Sequence, residues 1–145
     1  MRYMFLIYSR ETDMAGMTPA DMEALKAGHW AVMDETRAKG IFHGAEPLHP
    51  TTTATTVRVN GGKPLVTDGP FAETKEQLAG YYILDCKDLD EAIAWAARIP
   101  TACKGGAGCI EIRPIMPLPA RYAQPMSEPA RSGYFVRSMA GSLPA

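Results

Sequence analysis

The chain has only three cysteines, Cys86, Cys103 and Cys109. An odd number without framework spacing argues against a disulfide scaffold, and no CxxC pair of the zinc-binding kind occurs. The three histidines, His29, His43 and His49, include no i, i+4 pair, so no metal centre is expected. No run of about 18 apolar residues is present, so no membrane-spanning helix is expected. The apolar opening Met1–Tyr8 is too short for a signal peptide and lacks a small-residue cleavage site. A cytoplasmic location is the resulting expectation. Basic charge is not in excess: the formal net charge is −1, with acids and bases interspersed. That argues against a nucleic-acid partner, which would meet a basic stripe. Neither GxxxxGK[ST] nor GxGxxG occurs, and the glycine-rich turn Gly105–Gly108 precedes a strand, so it offers no helix N-terminus to an anion. No cofactor is expected.

What remains is a globular composition. The 145 residues are 46% hydrophobic, enough for one domain with a core of its own. Tyr3 to Tyr8 reads as a buried strand, followed by a loop through Gly16. Thr18-Pro19-Ala20-Asp21 reads as a helix start, with Thr18 as cap, Pro19 in the first turn and Asp21 closing a capping box. Met22, Leu25, His29 and Met33 recur at helical spacing, and Gly40 suits the helix stop. Ile41 to Leu48 is a second strand. Asn60-Gly61 predicts a hairpin turn between strands Ala54–Val59 and Lys63–Thr67. Glu73 to Leu78 is a short connection with room for one helical turn, before a strand over Gly80–Cys86. Asp88 to Glu91 reads as another capping box, opening a helix whose apolar stripe is Leu89, Ala92, Ile93 and Ala96. Cys109 to Met116 is the last strand.

The order β-α-β, hairpin, β-α-β is the split βαβ pattern of a ferredoxin-like α+β fold with two helices on one sheet face. Strand alternation puts Tyr3, Phe5 and Ile7 on one face and Met4, Leu6 and Tyr8 on the other, so both faces are apolar or aromatic. An uncovered apolar face would be an unusually large exposed patch, which predicts a second subunit and hence a homodimer. Residues 117–145 hold five prolines and little periodicity, so the domain is set at 1–116 and 117–145 is a tail or arm. Cys103 and Cys109 bracket a glycine-rich turn, where a redox pair or two small loop residues are both open readings.

The run from Val66 through Asp68-Gly69-Pro70-Phe71 and Glu73-Thr74-Lys75-Glu76-Gln77-Leu78 to Tyr82 resembles the signature of the DGPF branch of the YCII-related family. Gly44-Ala45-Glu46-Pro47-Leu48, Ala54-Thr55-Thr56-Val57-Arg58, Leu89-Asp90-Glu91-Ala92 and Ile110-Glu111-Ile112-Arg113-Pro114 fit it in the same order. The resemblance implies a dimeric α+β barrel, two ferredoxin-like sheets facing each other around a cleft. It also implies small-molecule enzymes using acid–base chemistry, including dehydrochlorination by a histidine–aspartate pair. Members of that branch are often encoded beside extracytoplasmic-function sigma factors, so a non-catalytic regulatory module acting with one is the alternative.

Asp68, Glu73 and Lys75 are the expected catalytic residues. If Glu73 and Lys75 fold back on Asp68, one carboxylate keeps its proton because of the other, while Lys75 holds the second ionised. Gly69, Pro70 and Phe71 shape that segment and are expected to bind an unknown small-molecule substrate. Tyr82 joins them as a hydroxyl donor and Arg113 as a carboxylate clamp. His29 joins them because it falls near the histidine of the acid–base branch. Asp-Gly-Pro is equally a turn, the Glu73–Glu76 run equally a solvated connection, and a helix histidine on an apolar stripe equally a packed residue.

Overall fold

The computed structural model describes residues 1–102 and 108–123. β1 (Arg2–Ser9) alternates between buried and half-buried side chains along its whole length. The short α1 (Glu11–Ala15) occupies part of the expected loop. No side chain caps it. Tertiary bonds hold it instead: the Glu11 carboxylate accepts from Thr51 N at 2.7 Å and Thr51 Oγ1 at 2.9 Å, and Glu11 N donates to Gln77 Oε1 at 3.0 Å. α2 (Pro19–Ala38) starts as expected, with Asp21 N donating to Thr18 Oγ1 and Thr18 N to Asp21 Oδ2, both at 3.1 Å. It stops before Gly40, whose φ of 70° lies in the left-handed region.

β2 (Phe42–Pro47) follows, then a 3-10 turn at Thr51–Thr53. β3 (Thr55–Asn60) and β4 (Lys63–Asp68) pair as a two-stranded ribbon. Asn60 pairs with Lys63, so the turn residues are Gly61 and Gly62, at φ 56° and 76°. The Asn60-Gly61 expectation is therefore one residue early. Two consecutive positive φ values define the tight hairpin turn, and Asn60 is already strand.

β5 (Gln77–Asp85) begins three residues ahead of the expected Gly80, and no helical turn forms over Glu73–Leu78. α3 (Leu89–Ala96) is capped by Asp88, which accepts from Glu91 N at 2.9 Å. The box is not reciprocal, because the Glu91 carboxylate accepts from Lys87 N instead, at 2.7 Å. The expected stripe holds at Ala92 and at Ala96, which packs against the core, but not at Leu89 and Ile93. Ala92 and Trp95 are buried, whereas Leu89 and Ile93 are each 51% exposed. Trp95 offers the larger apolar area, so it and not Leu89 faces the sheet. β6 (Cys109–Pro114) closes the main sheet.

That sheet has the order β2-β5-β1-β6, antiparallel throughout. The architecture is α+β and compatible with a ferredoxin-like fold. Tyr3, Phe5, Ile7, Tyr82 and Leu84 on one face form a single core with Val32 of α2 and Ala92 and Trp95 of α3. Both long helices therefore cover the same face, as expected. Fully buried Phe5 and Leu84 each contribute roughly 1.5–3 kcal/mol. The other face carries Met4, Leu6, Tyr8, Tyr81 and Ile83, all half-buried. No helix among the described residues is long and apolar enough to cross a membrane. The expectations for Cys103 and for the tail from residue 124 onward lie outside the described residues.

Candidate functional site

A cavity of about 360 Å³ lies between α2 and the helix-facing side of the sheet, with Met14 of α1 at its border. Its size falls at the lower end of ordinary ligand pockets, about 300–1,000 Å³. Small residues make the space. Ala45, Ala79 and Ala102 line it, and their short side chains leave a volume that Met22, Leu25 and Met33 do not fill. Gly80 tightens the same region. A Cβ there would lie 2.7 Å from the Glu46 carbonyl oxygen, so β2 approaches β5 closely only because the position is glycine.

Two polar side chains meet at this cavity. The helical spacing that puts Met22, Leu25 and Met33 on one face of α2 puts His29 there too. Strand alternation turns Tyr82 of β5 to the same side, beside Phe5. His29 Nδ1 and Tyr82 Oη lie 2.8 Å apart, with the rings nearly parallel at 16°. Burial pushes the Tyr82 phenol up to about 12, against a smaller opposing effect of the Arg37 charge. Burial also holds His29 below its ordinary value. Both groups are therefore neutral near neutral pH. A separation of 2.8 Å is an ordinary O–H···N length, whereas the second acceptor in reach of Tyr82, the His29 carbonyl, is 3.4 Å away. With the phenol donating to Nδ1 the imidazole proton sits on Nε2, and in the other tautomer Nδ1–H donates to Tyr82 Oη while the phenol turns to the His29 carbonyl. Nε2 has no hydrogen-bond partner among the described residues.

Residues 1–119 match the YCII-related domain. The chain belongs to the YCII-related family. A similar protein is an uncharacterized protein of Rhizobium meliloti (strain 1021), 37% identical over 115 residues, which are 79% of this chain and 92% of the relative.

Within this YCII-related protein the expected site residues fall in three places. His29 and Tyr82 come together at the cavity. Asp68 is exposed at the end of β4, and Pro70, Phe71, Glu73 and Lys75 are exposed in the connection to β5. The described hydrogen bonds and ion pairs do not join Asp68, Glu73 and Lys75 to one another. Gly69 is held firmly, its N donating to Ala54 O at 2.7 Å and its carbonyl accepting from Thr56 Oγ1 at 2.7 Å. Its φ of 99° requires glycine. Arg113 lies on the other side of the sheet, because it pairs with Met4 while Tyr82 pairs with Phe5. There its Nη1 is 3.4 Å from Glu111 Oε1 of the same strand.

Sequence reasoning did not find the cavity's small residues. Alanines in strands look like weak core positions, and only the facing of Ala45 and Ala79 toward α2 turns them into space. Among the described residues no cluster of His, Cys, Asp and Glu could hold a metal ion.

Proposed function

We propose that this YCII-related protein binds a small molecule in the α2–sheet cavity and acts on it by acid–base chemistry through His29. The observation that carries this reading is the 2.8 Å bond between His29 and Tyr82 at a mainly apolar cavity. Tyr82 fixes the imidazole in one tautomer, and His29 Nε2 is the proton-bearing atom offered to a ligand.

A second reading concerns assembly, and it rests on the β3–β4 ribbon. Val57, Val59 and Val66 lie on one face of it and are 58%, 73% and 63% exposed; Phe71 nearby is 77% exposed. We infer that a second copy of the chain covers this surface and the half-buried sheet face, giving a dimeric α+β barrel of the DGPF branch. The strand order β2-β5-β1-β6, with both helices on one side, supports the ferredoxin-like part of that inference. Asp68, Glu73 and Lys75 then act at the dimer cleft, supplied by exposed segments that a partner would enclose. Arg113, on the half-buried face, binds substrate there as well. An extracytoplasmic-function sigma factor is the competing occupant of the same surface.

Native mass spectrometry of the purified protein tests both readings. A dimer carrying a small adduct that His29→Leu weakens is the expected result. A monomer at micromolar concentration would sink the cleft assignment. A sigma factor retained on the immobilised chain, and released by Val59→Asp, would replace the second copy.

A further inference from the structure

The α2–sheet cavity says something about its ligand's charge. Ser9, His29, Trp30 and Tyr82 are polar side chains of its lining. None is ionised near neutral pH. Ser9 is 3% exposed, and its Oγ accepts from Ala102 N at 3.4 Å. Two ionic residues border the space, Lys26 and Glu46. Lys26 Nζ lies 3.2 Å from Glu23 Oε1 on the exposed surface of α2. Glu46 pairs with Tyr81, and strand alternation puts both on the opposite face of the sheet from Tyr82. A carboxylate or an ammonium placed in this cavity would lose its water without gaining a counter-charge, which is costly.

Trp30 also lines the space, but at 56% exposure its indole has water within reach, and the Ser9 hydroxyl sits beside the Ala102 amide; the half-buried imidazole of His29 supplies a further directional group. In the tautomer in which Tyr82 donates to Nδ1, His29 presents an N–H at Nε2, an atom without a partner among the described residues. An N–H donor in an apolar site selects a ligand oxygen that accepts a hydrogen bond. We propose that the cavity takes an uncharged, mainly apolar carbonyl compound whose oxygen accepts from His29 Nε2–H. This rests on the cavity being the ligand site, and it adds the ligand's class. A neutral imidazole donating to a carbonyl oxygen polarises it. The proton attached to the neighbouring carbon becomes more acidic as a result.

The test uses the full-length protein and four probes built on one ring: acetophenone, ethylbenzene, benzoate and benzylamine. Each is titrated while the backbone amides of Ala45, Ala79 and Ala102 are followed by NMR. Acetophenone should bind at least about tenfold more tightly than benzoate or protonated benzylamine, because only the charged probes pay for desolvation. It should bind about fivefold more tightly than ethylbenzene, the margin of one hydrogen bond. In His29→Leu the margin over ethylbenzene should vanish while ethylbenzene still binds. Nitrogen-15 shifts of the wild-type imidazole give a second readout that needs no variant, with Nε2 expected to carry the proton. Tighter binding of benzoate or benzylamine overturns the ligand class and leaves the cavity as a binding site. Equal binding of acetophenone and ethylbenzene, or a proton on Nδ1, overturns the His29 contact. If none of the four moves the cavity amides, the cavity reading fails and the ligand class fails with it.

Discussion

Tyr82 Oη and His29 Nδ1 are 2.8 Å apart although 53 residues separate them in the chain. The bond ties the middle of α2 to the strand beside β1. It therefore belongs to the packing of the domain as much as to its chemistry.

Tyr82→Phe removes this bond and keeps the ring. Urea denaturation should report a loss of about 1 kcal/mol, the usual net worth of one hydrogen bond. The imidazole of His29 should then populate both tautomers, visible in its nitrogen-15 shifts. An unchanged single tautomer would mean that something other than Tyr82 sets it.

The same pair makes stability depend on pH at two ends. Burial holds the His29 pKa below its ordinary 6.5, so the unfolded chain takes up the proton first as pH falls. The contribution of His29 is fully present above 6.5 and is lost as pH drops through the lower folded value. At the other end Tyr82 is raised from 10.0 to about 12, so its contribution holds below 10.0 and is lost as pH rises toward about 12. Denaturation midpoints across acid pH should slope in the wild type and slope less in His29→Leu. Tyrosinate absorbance should reveal one phenol that ionises late, absent in Tyr82→Phe.

Gly80→Ala should destabilise the protein by roughly 1–3 kcal/mol, as overpacking does. The added carbon would meet the Glu46 carbonyl oxygen at 2.7 Å, and backbone cannot swing aside as a side chain can. Gly44→Ala is the control, because a Cβ there meets nothing within 4 Å. Equal stability of the two variants would refute this account of the β2–β5 approach.

Asp68→Asn should leave folding unchanged within about 0.5 kcal/mol, since the residue is exposed at a strand end. If the Asp68–Lys75 segment completes a site in the dimer, turnover should fall at least about a hundredfold, the usual weight of one acid–base group. Full turnover in a folded Asp68→Asn dimer would remove the segment from the chemistry.

Local signals were legible in the sequence, and relationships across the sheet were not. Thr18 and Asp21 could be read as a capping box because both halves lie within one turn. The Asn60-Gly61 signal found the hairpin but placed the turn one residue early, because Gly62 supplies the same backbone freedom. α1 was missed because its support comes from Thr51 and Gln77, far along the chain. The stripe of α3 was misread because Leu89 and Ile93 are as apolar as the buried side, and only the sheet decides which side turns inward. His29 and Tyr82 were each singled out, yet their bond depends on the register between α2 and β5. Asp68, Glu73 and Lys75 lie within eight residues of sequence, but closeness along a connecting segment does not bring side chains together.

β1 lies between β5 and β6, pairing Arg2 with Asp85 and Tyr3 with Pro114. Both neighbours are therefore made long after it. On the ribosome α2 can form early, since its cap is local, but β1 must wait with two open edges. A nascent chain stalled before Gln77 has no four-stranded sheet to join, and one stalled before Cys109 still exposes one edge of β1. Such an edge is a template for pairing with another chain. The protein's vulnerability to misassembly is thus concentrated in the interval of synthesis before β6 emerges.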